Sequence, residues 1–220
     1  MPDRTIAVGD IHGCSQALAA LLTAIRPRPD DRLVILGDYI DRGPDSRGVI
    51  EQLLVLREQC QLVTLLGNHE QMLLRCLEST AERRFWLKYG GRETLASYGG
   101  SLDAIPPRHL QFLRDGRLFF ETAHHIFVHA NYVADLPLDQ QPEAVLLWTH
   151  LPRLRPAPHP SGKTVIVGHT PQSLGKILDW GYLMCIDTCC FGGGVLTALE
   201  VETKQVWQAD AAGTLCRADA

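Results

Sequence analysis

Leu33-Val34-Ile35-Leu36-Gly37-Asp38-Tyr39-Ile40-Asp41-Arg42-Gly43 decides how this chain is read. The apolar run Leu33 to Leu36 predicts a buried strand. It stops at Gly37, and Asp38, Asp41 and Arg42 follow at once. Like charges repel, and buried charges need partners. A divalent cation beside a phosphate satisfies all three groups, with carboxylate on the metal and guanidinium forked onto phosphate oxygens.

The plan recurs on both sides. Thr5-Ile6-Ala7-Val8 reads as a strand ending at Gly9-Asp10-Ile11-His12-Gly13. Residues two apart share a side in extended chain, so Asp10 and His12 could face one ion. Leu18, Leu21, Leu22 and Ile25 then sit at helical spacing, with Ser15 as the expected N-cap and Pro27-Arg28-Pro29 as the stop. After Gly43, the residues Val49, Ile50, Leu53 and Leu54 predict a second helix. Leu62 to Leu66 is a third strand, Gly67-Asn68-His69-Glu70 its turn, and Met72, Leu73 and Leu77 mark the helix beyond. If that turn stays extended, Asn68 and His69 point to opposite sides. Glu70 opens a helix, where a carboxylate suits the dipole, so it stays off the ligand set. Successive strand–turn–helix units predict an α/β fold with ligands at strand carboxyl ends.

From about residue 80 to 115 the pattern changes. Helical pieces carrying Trp86, Leu87, Leu95 and Leu110 are broken by Gly90-Gly91, Gly99-Gly100 and Pro106-Pro107. The expectation is a helical insertion within a single domain spanning 1–220. The chain then turns β-rich. Leu118-Phe119-Phe120 and Ile126-Phe127-Val128 read as strands, the second running into His129. After the Pro-rich loop Pro152 to Pro160, Thr164 to Val167 runs into Gly168-His169. Tyr182 to Asp187, Val195 to Val201 and Gln205 to Gln208 are expected as strands of a second sheet, with a frayed tail after Ala211.

Composition narrows the function classes. With 45% hydrophobic and 21% charged residues, the chain is too apolar for disorder. A net charge of -4 argues against a nucleic-acid surface. The 7 cysteines include no CxxC pair, so a structural zinc site is not expected and reduced thiols are. No secretory leader or membrane-spanning run is read, so the expectation is a cytoplasmic protein with no membrane partner. His109 and His159 read as solvated, His124 and His125 as strand-border residues, and the tryptophans as packing.

Taken singly, an Asp after a strand is a turn residue and a lone His a structural one. Jointly, Asp10 and His12, Asp38, Asn68 and His69, His129, and His169 end five apolar runs in ligand-type residues. Carboxylate, imidazole and amide oxygen together suit manganese, iron or zinc better than calcium. At this point Gly9-Asp10-Ile11-His12-Gly13, Gly37-Asp38-Tyr39-Ile40-Asp41-Arg42-Gly43, Gly67-Asn68-His69-Glu70, Val128-His129-Ala130 and Gly168-His169-Thr170 resemble, in order, the metallophosphoesterases of the phosphoprotein phosphatase type.

That resemblance implies a four-layer α/β/β/α sandwich of two mixed sheets. It implies two divalent ions, Mn²⁺ first, with Fe, Zn or Ni as alternatives. One would be held by Asp10, His12 and Asp38, the other by Asp38, Asn68, His129 and His169. It assigns Arg42 to the phosphate, His69 to protonation of the leaving oxygen, and Asp41 to orienting His69. Asn68 would also face substrate. The implied activity is metal-dependent hydrolysis of phosphoserine and phosphothreonine in proteins, with phosphotyrosine as a further candidate, by a monomer. The chain departs from several such relatives: Leu66 stands where they carry Arg, as does His150 after Leu146-Leu147-Trp148, so His150 or Arg153 is the candidate to complete the phosphate clamp. A dinucleoside polyphosphate (diadenosine tetraphosphate) hydrolase is the alternative, since that branch shares every metal motif and often carries Leu at this point. A phosphate-sensing module with a dead site is disfavoured because every ligand position is filled.

Overall fold

Residues 4–151 and 156–216 are described by a computed structural model. The first half alternates: β1 (Thr5–Val8), α1 (Ser15–Ile25), β2 (Arg32–Ile35), α2 (Ser46–Arg57), β3 (Gln61–Thr64) and α3 (Asn68–Cys76). The three strands run parallel, Ile6 beside Leu33 and Leu33 beside Leu62. Helices α4 (Thr80–Trp86), α5 (Arg92–Ser97) and α6 (Pro107–Arg114) fill the 80–115 region. Then come β4 (Phe119–Glu121), β5 (His125–Val128), α7 (Glu143–Trp148), β6 (Thr164–Val167), β7 (Leu178–Asp179), β8 (Leu183–Cys185), β9 (Val195–Glu200), β10 (Val206–Asp210) and β11 (Leu215–Cys216).

The strands form two mixed sheets, ordered β11-β10-β9-β1-β2-β3 and β4-β5-β6-β8-β7. The layers follow from period-two alternation along each strand. Ile6, Val8, Leu33 and Ile35 face outward onto Leu18 and Leu21 of α1 and Val49 and Leu53 of α2. Ala7 and Val34 face inward, meeting Phe127, Ile166 and Met184 of the second sheet. The opposite face of that sheet, with Val128, Val165 and Leu183, is covered by Tyr132, Leu138 and Leu146. The chain is therefore an α/β/β/α sandwich whose last layer is thin, α7 plus loops. Burying each of these aliphatic side chains is worth roughly 1.5–3 kcal/mol, and the sheets they hold together carry the site.

Several expectations are corrected. The strands β9 and β10 join the first sheet rather than the second: β9 pairs antiparallel with β1, Ala7 opposite Leu199. Alternation marks a strand but does not name its partner. The tail does not fray immediately, since β11 pairs with β10. Ser15 is the first helical residue of α1; the cap position is Cys14, whose turn closes through its N–H to Ile11 O at 3.0 Å. His109 is fully buried, its Nδ1 2.7 Å from the Tyr98 hydroxyl and its Nε2 3.1 Å from Glu51. His159 is half-buried, with Ser161 at its Nδ1. No helix among the described residues is long and apolar enough to cross a membrane.

Candidate active site

Each parallel strand ends where the two sheets meet, and each end contributes a polar side chain. Asp10 and His12 follow β1, Asp38 follows β2, Asn68 and His69 open α3 after β3, His129 follows β5, and His169 follows β6. The end of β8 adds Asp187, buried at 3% exposure and absent from the sequence-derived set. The signal was present, a carboxylate closing the apolar run Leu183 to Ile186, but no glycine precedes it.

The turns are tight. Gly37 takes φ 102°, and an added Cβ would lie 2.8 Å from the Gly67 backbone, so the turns after β2 and β3 abut only because both lack side chains. Of the eight described non-glycine residues with positive φ, five are His12, Asp38, Asp41, Arg42 and His169. Left-handed backbone costs roughly 1–3 kcal/mol per residue and persists where surrounding bonds over-determine it. His12 at φ 45° therefore does not share a side with Asp10 by extended geometry. Nor are Asn68 and His69 extended: both lie in the first turn of α3. They still diverge, Asn68 toward His129 and His169, and His69 toward Asp41.

Glu70 is the brace. Its carboxylate is fully buried and accepts the N–H groups of Asp38 at 2.8 Å, Tyr39 at 2.9 Å, Ile40 at 3.3 Å and Gly67 at 2.9 Å. One side chain on α3 thus ties the β2 turn to the β3 turn. Glu70→Gln presents an NH₂ to two of those N–H groups whichever way the amide turns. Losing two buried bonds to a charged acceptor should cost roughly 3 kcal/mol, a Tm fall of roughly 6–12 °C by calorimetry. A fall below about 2 °C would deny Glu70 this role.

The donor atoms converge. His12 Nε2 lies 3.5 Å and His69 Nε2 4.0 Å from Asp38 Oδ2, and His129 Nε2 lies 3.5 Å from Asp38 Oδ1. Asn68 Oδ1 is 3.0 Å from both His129 Nε2 and His169 Nδ1. Two groups have ligand atoms within 4.8 Å of one another: His12, Asp38 and His69, and Asp38, His129 and His169. Asp38 belongs to both. Asp10 belongs to neither; its oxygens accept the His169 N–H at 3.0 and 3.1 Å.

The electrostatics fit cations here. Burial pushes the imidazoles of His12 and His129 below their ordinary range, and that of His169 down to about 3, so their lone pairs are bare near neutral pH. His12 Nδ1–H donates to Ile40 O and His129 Nδ1–H to Leu36 O, which leaves each Nε2 as an acceptor. Bare His129 Nε2 then faces the Asn68 amide oxygen, two acceptors at 3.0 Å. His69 Nε2 and His169 Nε2 are buried without a hydrogen-bond partner. Burial, then Asp187 and Asp38, push the Asp10 carboxyl well up, and burial pushes that of Asp187 up to about 6. Burial would also raise Asp38, but the surrounding histidines, His129 foremost, hold its carboxyl well below the usual carboxylate range. Crowded lone pairs and carboxylates of this kind suit divalent cations.

A cleft of about 170 Å³ opens onto these atoms, with Arg42, His69, Tyr89, Trp148 and His150 among its walls. Arg42 stacks its guanidinium 4.8 Å over the Phe191 ring and donates to His12 Nε2 at 3.0 Å. His150 is exposed, lines the cleft and stacks 4.4 Å from His169. Arg153 lies outside the described residues. A larger apolar groove near Leu22, Val55 and Leu56 holds nothing that could act on a phosphate.

Residues 4–196 match the calcineurin-like phosphoesterase family. The serine/threonine-protein phosphatase 1 of Salmonella typhimurium is 33% identical over 204 residues, covering 89% of this chain and 90% of that one. The symmetrical bis(5'-nucleosyl)-tetraphosphatase of Nitrosospira multiformis is 33% identical over 137 residues, covering 61% of this chain and 46% of its own length. Among solved structures, a cold-active protein-tyrosine phosphatase of a psychrophilic Shewanella shares the fold at TM-score 0.70 and 18% identity, covering 98% of this chain and 82% of its own. With a phosphate-sized cleft over clustered ligands and this span of similarity, the chain belongs to the calcineurin-like phosphoesterase family, as a hydrolase.

Proposed function

We propose that this chain is a metal-dependent phosphomonoesterase acting on phosphoserine and phosphothreonine in proteins. The observation that carries it is the convergence, in one cleft, of two ligand clusters sharing Asp38 with Arg42 and an Asp41-bonded His69. The near-complete mutual coverage with the Salmonella phosphatase supports the protein substrate.

Asp10, His12 and Asp38 would hold one ion, and Asp38, Asn68, His129 and His169 the other. Two divalent ions bound there supply charge for the phosphate oxygens and acidify a water for attack on phosphorus. The chain's own residues do the rest. Arg42, braced on Phe191, presents a planar cation to the phosphate. His69 Nδ1–H lies 2.7 Å from Asp41 Oδ2, so a proton carried on Nε2 is delivered into the cleft, where the leaving oxygen would sit. That geometry favours a donor role for His69 over a ligand role, although its Nε2 belongs to the first cluster.

The test compares kcat/KM for a phosphoserine peptide, p-nitrophenyl phosphate and diadenosine tetraphosphate under Mn²⁺. The peptide should exceed the tetraphosphate by at least about tenfold, about 1.4 kcal/mol of transition-state preference. The reverse order would replace this reading with the nucleotide hydrolase to which the Nitrosospira relative is similar. Exhaustive chelation should abolish turnover and Mn²⁺ restore it; unchanged activity after verified metal removal contradicts the metal requirement.

A further inference from the structure

Asp41 is completely buried, and its carboxylate accepts from three side chains. One is His69. The other two come from the 80–115 helices. Trp86 Nε1–H lies 3.0 Å from Oδ1 and 2.9 Å from Oδ2, and the Thr94 hydroxyl donates to Oδ1 at 2.6 Å. The same Thr94 oxygen accepts the Asp41 N–H at 2.9 Å and pairs with Ser46 Oγ at 2.8 Å, while Ser46 Oγ also accepts the Asp41 N–H at 3.0 Å. The carboxylate is held from three directions and has little freedom to rotate. The segment grips the next residue too: Arg42 N–H donates to Gly90 O at 3.1 Å. Gly90 has φ 113°, and an added Cβ would meet Arg42 N at 2.7 Å.

Packing alone does not account for this. Trp86 is at 0% exposure, but a phenylalanine or leucine would fill a core as well; an indole N–H aimed at both oxygens of one carboxylate is a choice of donor. The chain also makes room for the indole, since a Cβ on Gly91 would lie 2.4 Å from the ring. Asp41 and Arg42 both stand in left-handed backbone, which needs such over-determination to persist.

We infer that Trp86 and Thr94 are positioning residues for proton delivery: by fixing the Asp41 carboxylate they aim His69 at the leaving oxygen, so the segment from Trp86 to Thr94 belongs to the catalytic apparatus. The inference rests on the proton-donor reading of His69 given under Proposed function. No substitution at Trp86 or Thr94 touches the substrate directly. Their effect is exerted through Asp41 and is largest where the leaving group most needs a proton.

The experiment measures kcat and KM for a phosphoserine peptide, whose alkoxide leaves poorly, and for p-nitrophenyl phosphate, whose phenolate leaves well. It uses the Mn²⁺-loaded full chain as wild type, His69→Asn, Trp86→Phe, Thr94→Val and Thr94→Ser. The readout is the ratio of the two kcat values, from which any inactive fraction of a poorly folded variant cancels. Trp86→Phe and Thr94→Val should each lower that ratio about tenfold, the scale of one hydrogen bond to a charged group, with KM for the peptide changed less than about twofold. Thr94→Ser, which keeps the hydroxyl, should return it to within about threefold of wild type. If His69→Asn lowers the ratio while Trp86→Phe and Thr94→Val lower both substrates equally, Trp86 and Thr94 only pack and the inference is overturned. If His69→Asn itself leaves the ratio unchanged, the proton-donor reading fails and the inference falls with it.

Discussion

Asp38→Asn should abolish turnover and, with it, the thermal stabilisation expected of the wild type on adding Mn²⁺. Asp38 is the one side chain common to both ligand groups, with Oδ1 toward His129 and Oδ2 toward His12 and His69. The amide keeps the shape, loses the charge and replaces one acceptor with a donor. Its NH₂ must then face bare imidazole nitrogens on one side, where it can bond them and block the cation. A ligand present at about 100 times its Kd stabilises by about 2.7 kcal/mol, and in a chain of this size each kcal/mol moves Tm by about 2–4 °C. Wild type should therefore gain roughly 5–10 °C on adding Mn²⁺, and Asp38→Asn should gain none. Loss of activity should reach about 10³-fold or more in kcat/KM, since several kcal/mol of charge stabilisation go with the metals. A variant that retains its Mn²⁺-dependent Tm shift would show that Asp38 does not join the two clusters.

The residues that converge are legible in the sequence because each sits immediately after an apolar run, and a parallel sheet brings such ends to one edge. Position within the turn is not legible. Extended-chain geometry puts Asp10 and His12 on one side, but His12 turns left-handed and Asp10 accepts the His169 N–H instead. Glu70 reads locally as a helix-dipole residue, and only the approach of the β2 turn shows that it braces four N–H groups. Trp86 reads as packing for a similar reason: its partner Asp41 is 45 residues away, and local periodicity carries no information across that separation. The strands β9 and β10 are recognisable as strands yet expected in the wrong sheet, because an apolar β-prone run marks a strand without naming the partner it pairs with. Local chemistry, then, names what the turns contain. Tertiary approach decides which donor meets which acceptor.

The proton-transfer half of the site makes the other large prediction. His69→Asn should keep its metal content yet lower kcat for a phosphoserine peptide by about 10²–10⁴-fold, the range of general acid catalysis and roughly 3–5 kcal/mol of barrier. The loss on p-nitrophenyl phosphate should be much smaller, because a stable phenolate leaves without a proton. Asp41→Asn should reproduce most of this through a different route. The substituted amide turns its NH₂ toward His69 Nδ1, which in the wild type lies 2.7 Å from a carboxylate oxygen, and that nitrogen must become an acceptor. The imidazole then keeps its one proton on Nε2 but loses the carboxylate that orients the ring toward the leaving oxygen. The two changes act on one proton, so they cannot add: Asp41→Asn made in a His69→Asn background should cost less than about threefold further in kcat for the peptide, against about 10²-fold on its own. Costs that multiply in the double variant would mean that Asp41 serves the reaction by some path other than His69, and equal losses on both substrates would remove His69 from proton delivery altogether.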